Sequence, residues 1–283
     1  MADQNPDCKS CDKKSDSECA TCPSNTSLGI NKLAVPAHSS IRRVVAVMSG
    51  KGGVGKSTVT ALVASALAKK QRTVGVLDAD ITGPSIPKLF GIKDRPESTP
   101  LGLIPPTSLL GIKIMSLNLL LPHEDDPVIW RGPLIGGAVK QFWTDVVWGD
   151  LDYLVVDLPP GTGDSPLTVL QSLPLDGIVL VSSPQELAVM VVKKAIRMTE
   201  MLDVPIFGVV ENMSFLSCPH CGEKIELFGP SHVKAAAQGE NLKFLGALPV
   251  DPLLAELGDK GEIEKYPSDF LEEDIEAIIT AHN

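Results

Sequence analysis

Residues Gly50-Lys51-Gly52-Gly53-Val54-Gly55-Lys56-Ser57 set a glycine, four residues and then Gly-Lys-Ser between an apolar run and a helical one. That is the Walker A spacing. Its glycines let successive backbone N–H groups turn inward around phosphate oxygens. The N-terminus of the helix that follows adds positive potential. Lys56 then reaches the β- and γ-phosphates, and the Ser57 hydroxyl ligates Mg²⁺. The expected nucleotide-binding residues are Gly50, Lys51, Gly52, Gly53, Val54, Gly55, Lys56, Ser57 and Thr58.

Three carboxylates supply the other half of phosphoryl-transfer chemistry. Asp78 and Asp80 close one apolar run in LDADITGPS, and Asp157 closes another in VVDLPPGTGD. A carboxylate at the end of an apolar strand holds Mg²⁺ directly or through water, and Asp157 is assigned that role. Asp80 is assigned to orienting or activating the attacking water, with Asp78 in support. Aspartates also end strands for purely structural reasons; beside a phosphate-binding loop the catalytic reading prevails. Residues 82–85 would form a first switch loop. Residues 159–164 would form a second, hinged at Gly161 and Gly163.

All six cysteines fall in Cys-x-x-Cys pairs: Cys8/Cys11, Cys19/Cys22 and Cys218/Cys221. With thiols kept reduced, such pairs read as metal or cluster ligands or as redox dithiols more than as structural disulfides. The first two pairs give four thiols, enough for a closed iron–sulfur or zinc site within one chain. Cys218 and Cys221 alone cannot complete a four-ligand site. A two-fold dimer could bridge one 4Fe–4S cluster with two cysteines per chain. The pair could instead join another pair or His220 around zinc, or act as a redox dithiol.

These residues need elements to position them. Residues 1–40 are polar and short of large aliphatics, so they read as a Cys-rich tail and linker. From residue 41 to 283 the pattern is that of one nucleotide-binding domain. Strand-like apolar runs occur at 44–48, 73–78, 111–116, 152–157, 177–182, 206–211 and 244–249. Helical stretches lie at 56–70, 132–147, 165–173, 185–202, 231–240 and 268–281. Continuous apolar strands alternating with helices mean an α/β fold with a doubly wound, mostly parallel sheet. Residues 94–110 read as a surface excursion, and 212–230 as a long loop carrying the third cysteine pair. Val189, Val192, Ile196 and Met198 read as a buried helix face, and the three tryptophans as core.

Lys51 makes the phosphate-binding loop one of the deviant Walker A kind, and here the sequence resembles the MinD/ParA/nitrogenase iron-protein group. In that group the equivalent lysine reaches across a dimer interface to the partner's nucleotide, where an added cation stabilises charge developing on the γ-phosphate. DADITGPS, DLPPGTGDSPLT and Cys-Pro-His-Cys at 218–221, in that order, resemble the Mrp/ApbC family. The resemblance covers about residues 30–280 and implies an ATP-binding homodimer that carries a 4Fe–4S cluster and passes it to apo iron–sulfur proteins. It also implies that Asn212, in VVENMS, recognises adenine and that Pro249 lies near the base. It gives Arg131 a family position without a role. An Asn amide can both donate to and accept from a purine edge.

Composition sets the limits. Lys+Arg number 25 against 35 Asp+Glu, a net charge of −10, which disfavours a general nucleic-acid binder. No run approaches the ~18 apolar residues of a membrane span, and no secretory signal is evident; the expected location is cytoplasmic. A positioning or partitioning ATPase of the MinD/ParA kind is the alternative. It would want a membrane-targeting amphipathic end or a basic face, whereas DFLEEDIEAIITAHN is acidic. A nitrogenase-like reductase would place cysteines between Cys22 and Cys218, where this chain has none.

Overall fold

The computed structural model describes residues 33–34, 36, 38–80, 83–121, 132–267 and 275–281. The chain divides into two units, Met1–Asn31 and Lys32–Asn283. The first lies outside the described residues, and with it Cys8, Cys11, Cys19 and Cys22. Thr82, Trp130, Arg131 and residues 268–274 lie outside them too.

Seven strands form one sheet: β1 (Ser39–Ser49), β2 (Val74–Asp78), β5 (Lys113–Ser116), β6 (Gly149–Asp157), β7 (Gly177–Ser182), β8 (Ile206–Glu211) and β11 (Phe244–Ala247). Two hairpins stand apart from it: β3 (Glu97–Thr99) with β4 (Gly102–Ile104), and β9 (Leu216–Ser217) with β10 (Lys224–Ile225). The sheet order is β11-β8-β7-β1-β6-β2-β5, and every neighbouring pair is parallel. All seven expected strands are present. Their apolar runs are continuous because a parallel sheet is covered on both faces. Val44, Val45, Ala46, Val47 and Met48 are each between 0% and 3% exposed.

The helices are α1 (Lys56–Lys69), α2 (Ile86–Leu89), α3 (Gly132–Thr144), α4 (Asp164–Ser172), α5 (Glu186–Met201), α6 (Val233–Gly239), α7 (Pro252–Lys260) and α8 (Ile275–Ala281). In α1, KSTVTALVASALAK, small and apolar residues run all round. A helix of that kind is buried on every side. It lies on β1, β2 and β6, and is covered by α2, α8 and a 3-10 turn at Ile263–Lys265. Val45, Val47, Val155 and Val179 join it in one core. Trp143 and Trp148 are fully buried, as expected. In α5, Val192 and Ile196 are buried while Lys193, Lys194 and Arg197 are exposed.

Two hairpins and the helices α2 and α7 were not foreseen. The excursion at 94–110 is tied down: it holds the β3–β4 hairpin, and Leu103 exchanges backbone hydrogen bonds with Asp145 and Val147. Helix α7 starts where the Asp251 side chain accepts from Leu253 N at 2.9 Å, with Pro252 in the first turn, and ends at Gly261. The 212–230 loop contains the β9–β10 hairpin.

Candidate functional site

The C-terminal ends of β1, β2 and β6 converge on one edge of the sheet. Val47 of β1 and Asp78 of β2 both stand in register with Asp157 of β6. Ligands in open α/β sheets bind outside these ends. The loop after β1 turns into α1 through Gly53 and Gly55, both left-handed at φ 79° and 78°. A Cβ on Gly55 would lie 2.1 Å from Asn212 Nδ2. Glycine is thus required there twice, for its backbone angle and for the approach of the asparagine.

Lys56, Ser57, Asp80 and Asp157 meet as expected. Lys56 is 5% exposed, with Nζ 2.8 Å from Asp157 Oδ1 and 3.6 Å from Asp80 Oδ2. Ser57 Oγ donates to Asp157 Oδ2 at 2.5 Å. A hydroxyl and a fully buried carboxylate side by side form a hard oxygen pair that suits Mg²⁺. One lysine faces the two carboxylates of Asp80 and Asp157, so a divalent cation would balance the cluster.

Asp78 does not point at the phosphate loop. Its carboxylate accepts from Asp80 N at 3.2 Å, Ile86 N at 3.4 Å and Ser116 Oγ at 3.1 Å. It therefore anchors the backbone on both sides of residues 82–85, expected as the first switch. Burial, and then the neighbouring Asp157 charge, push Asp78 well above the ordinary carboxylate range, against the opposing pull of Lys56 and Ser116. Within residues 159–164, expected as the second switch, Gly161 N donates to Ser49 O at 2.9 Å. Gly161 is left-handed at φ 97°, whereas Gly163 is extended. Lys51 projects away from this cluster, and its Nζ donates to Gln185 Oε1 at 2.5 Å.

Two adjoining cavities share Gly55, Thr58 and Ser85. One, of about 240 Å³, lies over the glycine loop between Lys56, Asp80 and Pro160. The other, of about 350 Å³, is lined by Asn212, Pro249, Leu89 and Leu254. The first has the polarity for phosphates and the second has apolar walls for a base. Asn212 Nδ2 donates to Val54 O at 2.9 Å, and Asn212 Oδ1 accepts from Met213 N at 2.9 Å. The amide keeps one N–H and one lone pair for a ligand.

Cys218 and Cys221 stand at the tip of the β9–β10 hairpin. Cys218 N donates to Glu223 O at 2.8 Å, and Gly222, left-handed at φ 75°, donates to Cys218 O at 2.9 Å. The turn aims backbone N–H groups of Cys221 and His220 at the Cys218 sulfur, which draws its pKa below the usual thiol value. A thiolate is the form that ligates metal. Both thiols are free, and Cys221 is exposed. Among the described residues, no group of three or more His, Cys, Asp or Glu side chains converges to hold a metal. No helix among them is long and apolar enough to cross a membrane.

Sequence reasoning missed two residues. Thr60, one helical turn beyond Lys56 and fully buried, donates to Asp157 Oδ1 at 2.6 Å. Its spacing of four from Lys56 was the available signal. Glu211, which ends β8, is 1% exposed, and its two oxygens accept from Ser214 Oγ and Ser231 Oγ. An acidic residue closing an apolar strand was its signal.

The family described as NUBPL iron-transfer P-loop NTPase, within ParA, matches residues 40–282. An iron-sulfur cluster carrier protein of Methanocaldococcus jannaschii is 47% identical over 256 residues, covering 87% of this chain and 88% of that one. The iron-sulfur cluster transfer protein NUBPL of Dictyostelium discoideum is 43% identical, over 82% of this chain and 72% of its own. Among solved structures, a nucleotide-binding protein of Archaeoglobus fulgidus in complex with ADP, with Co, superposes at a TM-score of 0.74. Its identity is 47%, covering 81% of this chain and 90% of that one. MinD in its complex with MinC from Aquifex aeolicus has 22% identity and a TM-score of 0.56 over 85% of this chain and 94% of that one, a likeness of fold alone. Strand order, phosphate loop and sequence agree: the chain belongs to the NUBPL-type iron-transfer P-loop NTPases.

Proposed function

We infer that the protein is an ATPase that carries a 4Fe–4S cluster and delivers it to apo iron–sulfur proteins, acting as a homodimer in the cytoplasm. The observation that carries this reading is a two-thiol hairpin on the same β8–β11 edge as a nucleotide pocket. Two thiolates per chain supply half of the four that a 4Fe–4S cluster takes, one per iron, and a second copy supplies the other half. Exposed Ile225, Leu227 and Phe228 beside the thiols give that contact apolar surface. The ADP held by the Archaeoglobus protein and the carrier names of other relatives support it. Cys8, Cys11, Cys19 and Cys22 would hold a second iron–sulfur cluster or zinc.

In hydrolysis, Gly50 to Thr58 and Lys56 hold the phosphates, and Asn212 and Pro249 hold the adenine. Ser57 and Asp157 would ligate Mg²⁺, which neutralises phosphate charge. Lys56 leaves Asp157 for the phosphates. Asp80 orients water for attack on the γ-phosphorus, accepting its proton as the bond to the β-γ bridging oxygen breaks. Lys51 swings from Gln185 toward a partner's phosphates. The test is anaerobic reconstitution of wild type, Lys56→Ala and a Cys218→Ala/Cys221→Ala double variant. Loss of ATP turnover in the first variant, and of one cluster per dimer in the second, is expected. Turnover retained by Lys56→Ala, or iron content unchanged in the cysteine variant, refutes the reading.

A further inference from the structure

We propose that Glu211 is a positioning residue through which occupancy of the base pocket fixes the Cys218–Cys221 hairpin; this rests on the reading of that hairpin as the cluster site. Glu211 and Asn212 are consecutive at the end of β8 and face two different tasks. Asn212 lines the base pocket and binds the phosphate loop through Val54 O. Glu211 has one carboxylate oxygen on Ser214 Oγ and the other on Ser231 Oγ. These serines stand at the two ends of the segment that carries the hairpin, so one buried carboxylate closes its neck. Ser231 Oγ also accepts from Val233 N at 3.2 Å, at the first turn of α6.

A second set of bonds runs parallel to the first. Leu248 N donates to Glu211 O at 2.8 Å, Ser214 N to Leu248 O at 2.9 Å, and Val250 N to Phe215 O at 2.7 Å. Pro249 and Val250 are themselves walls of the base pocket, and Phe215 directly precedes β9. A base seated against Asn212 and Pro249 therefore presses on both partners of the hairpin stem. Glu211 is itself buried and accepts a hydroxyl at each oxygen, so the stem follows as a unit and does not fray. Coupling of this kind is a free-energy difference shared by two sites and acts in both directions.

The experiment reads the thiols directly, without a cluster. The metal-free full chain is alkylated with iodoacetamide, and the rates at Cys218 and Cys221 are resolved by peptide mass spectrometry with and without Mg²⁺-ADP. In wild type, nucleotide should change these rates about fivefold, at the low end of ordinary coupling. In Glu211→Ala and in Ser231→Ala the response should shrink to within about 1.5-fold, while ADP affinity by calorimetry stays within about threefold of wild type. Ser231→Ala keeps the test decisive if Glu211→Ala does not fold. A wild-type rate indifferent to ADP, or variants responding as wild type does, overturns the proposal. Iron analysis of reconstituted wild type is scored separately. A missing cluster with an intact ADP response would refute the carrier reading and leave the coupling standing.

Discussion

Thr60→Val tests how Asp157 is held in place. The Thr60 hydroxyl lies 2.6 Å from Asp157 Oδ1 and 3.0 Å from Lys56 O. It has one proton, and the shorter contact to a carboxylate takes it. Valine matches the shape and lacks the proton, leaving Asp157 Oδ1 to Lys56 alone. A hydrogen bond to a buried charged group is worth roughly 1.5–3 kcal/mol. A loss of about 2 kcal/mol in a domain of this size lowers Tm by roughly 4–8 °C. Activity should fall further. When nucleotide phosphates draw Lys56 away, the variant's Asp157 keeps only Ser57, and partners of metal-ligating carboxylates are worth about 10–100-fold in metal affinity or turnover. Thr60→Ser keeps the proton and should keep turnover within about threefold, at the stability cost of one buried methyl, about 0.8 kcal/mol. The assays are calorimetric melting of the nucleotide-free protein and Mg²⁺-dependent phosphate release. A Thr60→Val protein within about 1 °C of wild type, with unchanged Mg²⁺ dependence, would refute the reasoning.

Gly55→Ala should displace the Asn212 amide and cut nucleotide affinity by more than tenfold, since the new Cβ would sit 2.1 Å from Nδ2. Adding Asn212→Ala should recover stability but not all of the affinity, because φ of 78° still strains alanine; urea midpoints and ADP titrations check both. The pKa of Asp78 is raised in the folded state, so folded protein holds a proton that unfolded chain releases. Its contribution to stability therefore falls as pH rises from about 4 toward its folded value. Asp78→Asn should gain on wild type in urea midpoint between pH 4.5 and 7.5, whatever its constant offset; an offset equal at both pH values would contradict the shift. Deleting residues 1–27 should remove one metal site and leave ATP turnover intact, and metal analysis showing no loss would strip the tail of that role.

The strands were legible because burial on both faces writes itself as unbroken apolar runs such as Val44 to Met48. The phosphate loop was legible because its backbone angles demand glycine at 53 and 55. Asp78 was harder. Adjacent carboxylates at 78 and 80 look alike in sequence, and only the register with Asp157 and the reach of Ser116 separate an anchor from a group facing the phosphates. Helix α7 carried its signals, Asp251-Pro252 at one end and Gly261 at the other, within a stretch too short for periodicity to announce. Glu211's place at a strand end was visible but its role was not, because its partners, Ser214 and Ser231, are set by where a loop closes.

The place of β1 in the sheet bears on how the chain is made. It is the central strand of the seven, with β6 on one flank and β7 on the other. Both neighbours are synthesised about a hundred residues or more after Ser49. At ~5–20 residues per second, the Val44–Met48 stretch waits roughly 5–20 s on the ribosome before a partner strand exists. During that interval its backbone and valines are open to solvent, which makes it the natural handle for a chaperone. Slowing translation between residues 50 and 150 should lengthen that exposure and lower the yield of folded protein, through synthesis alone and with no change in the finished molecule.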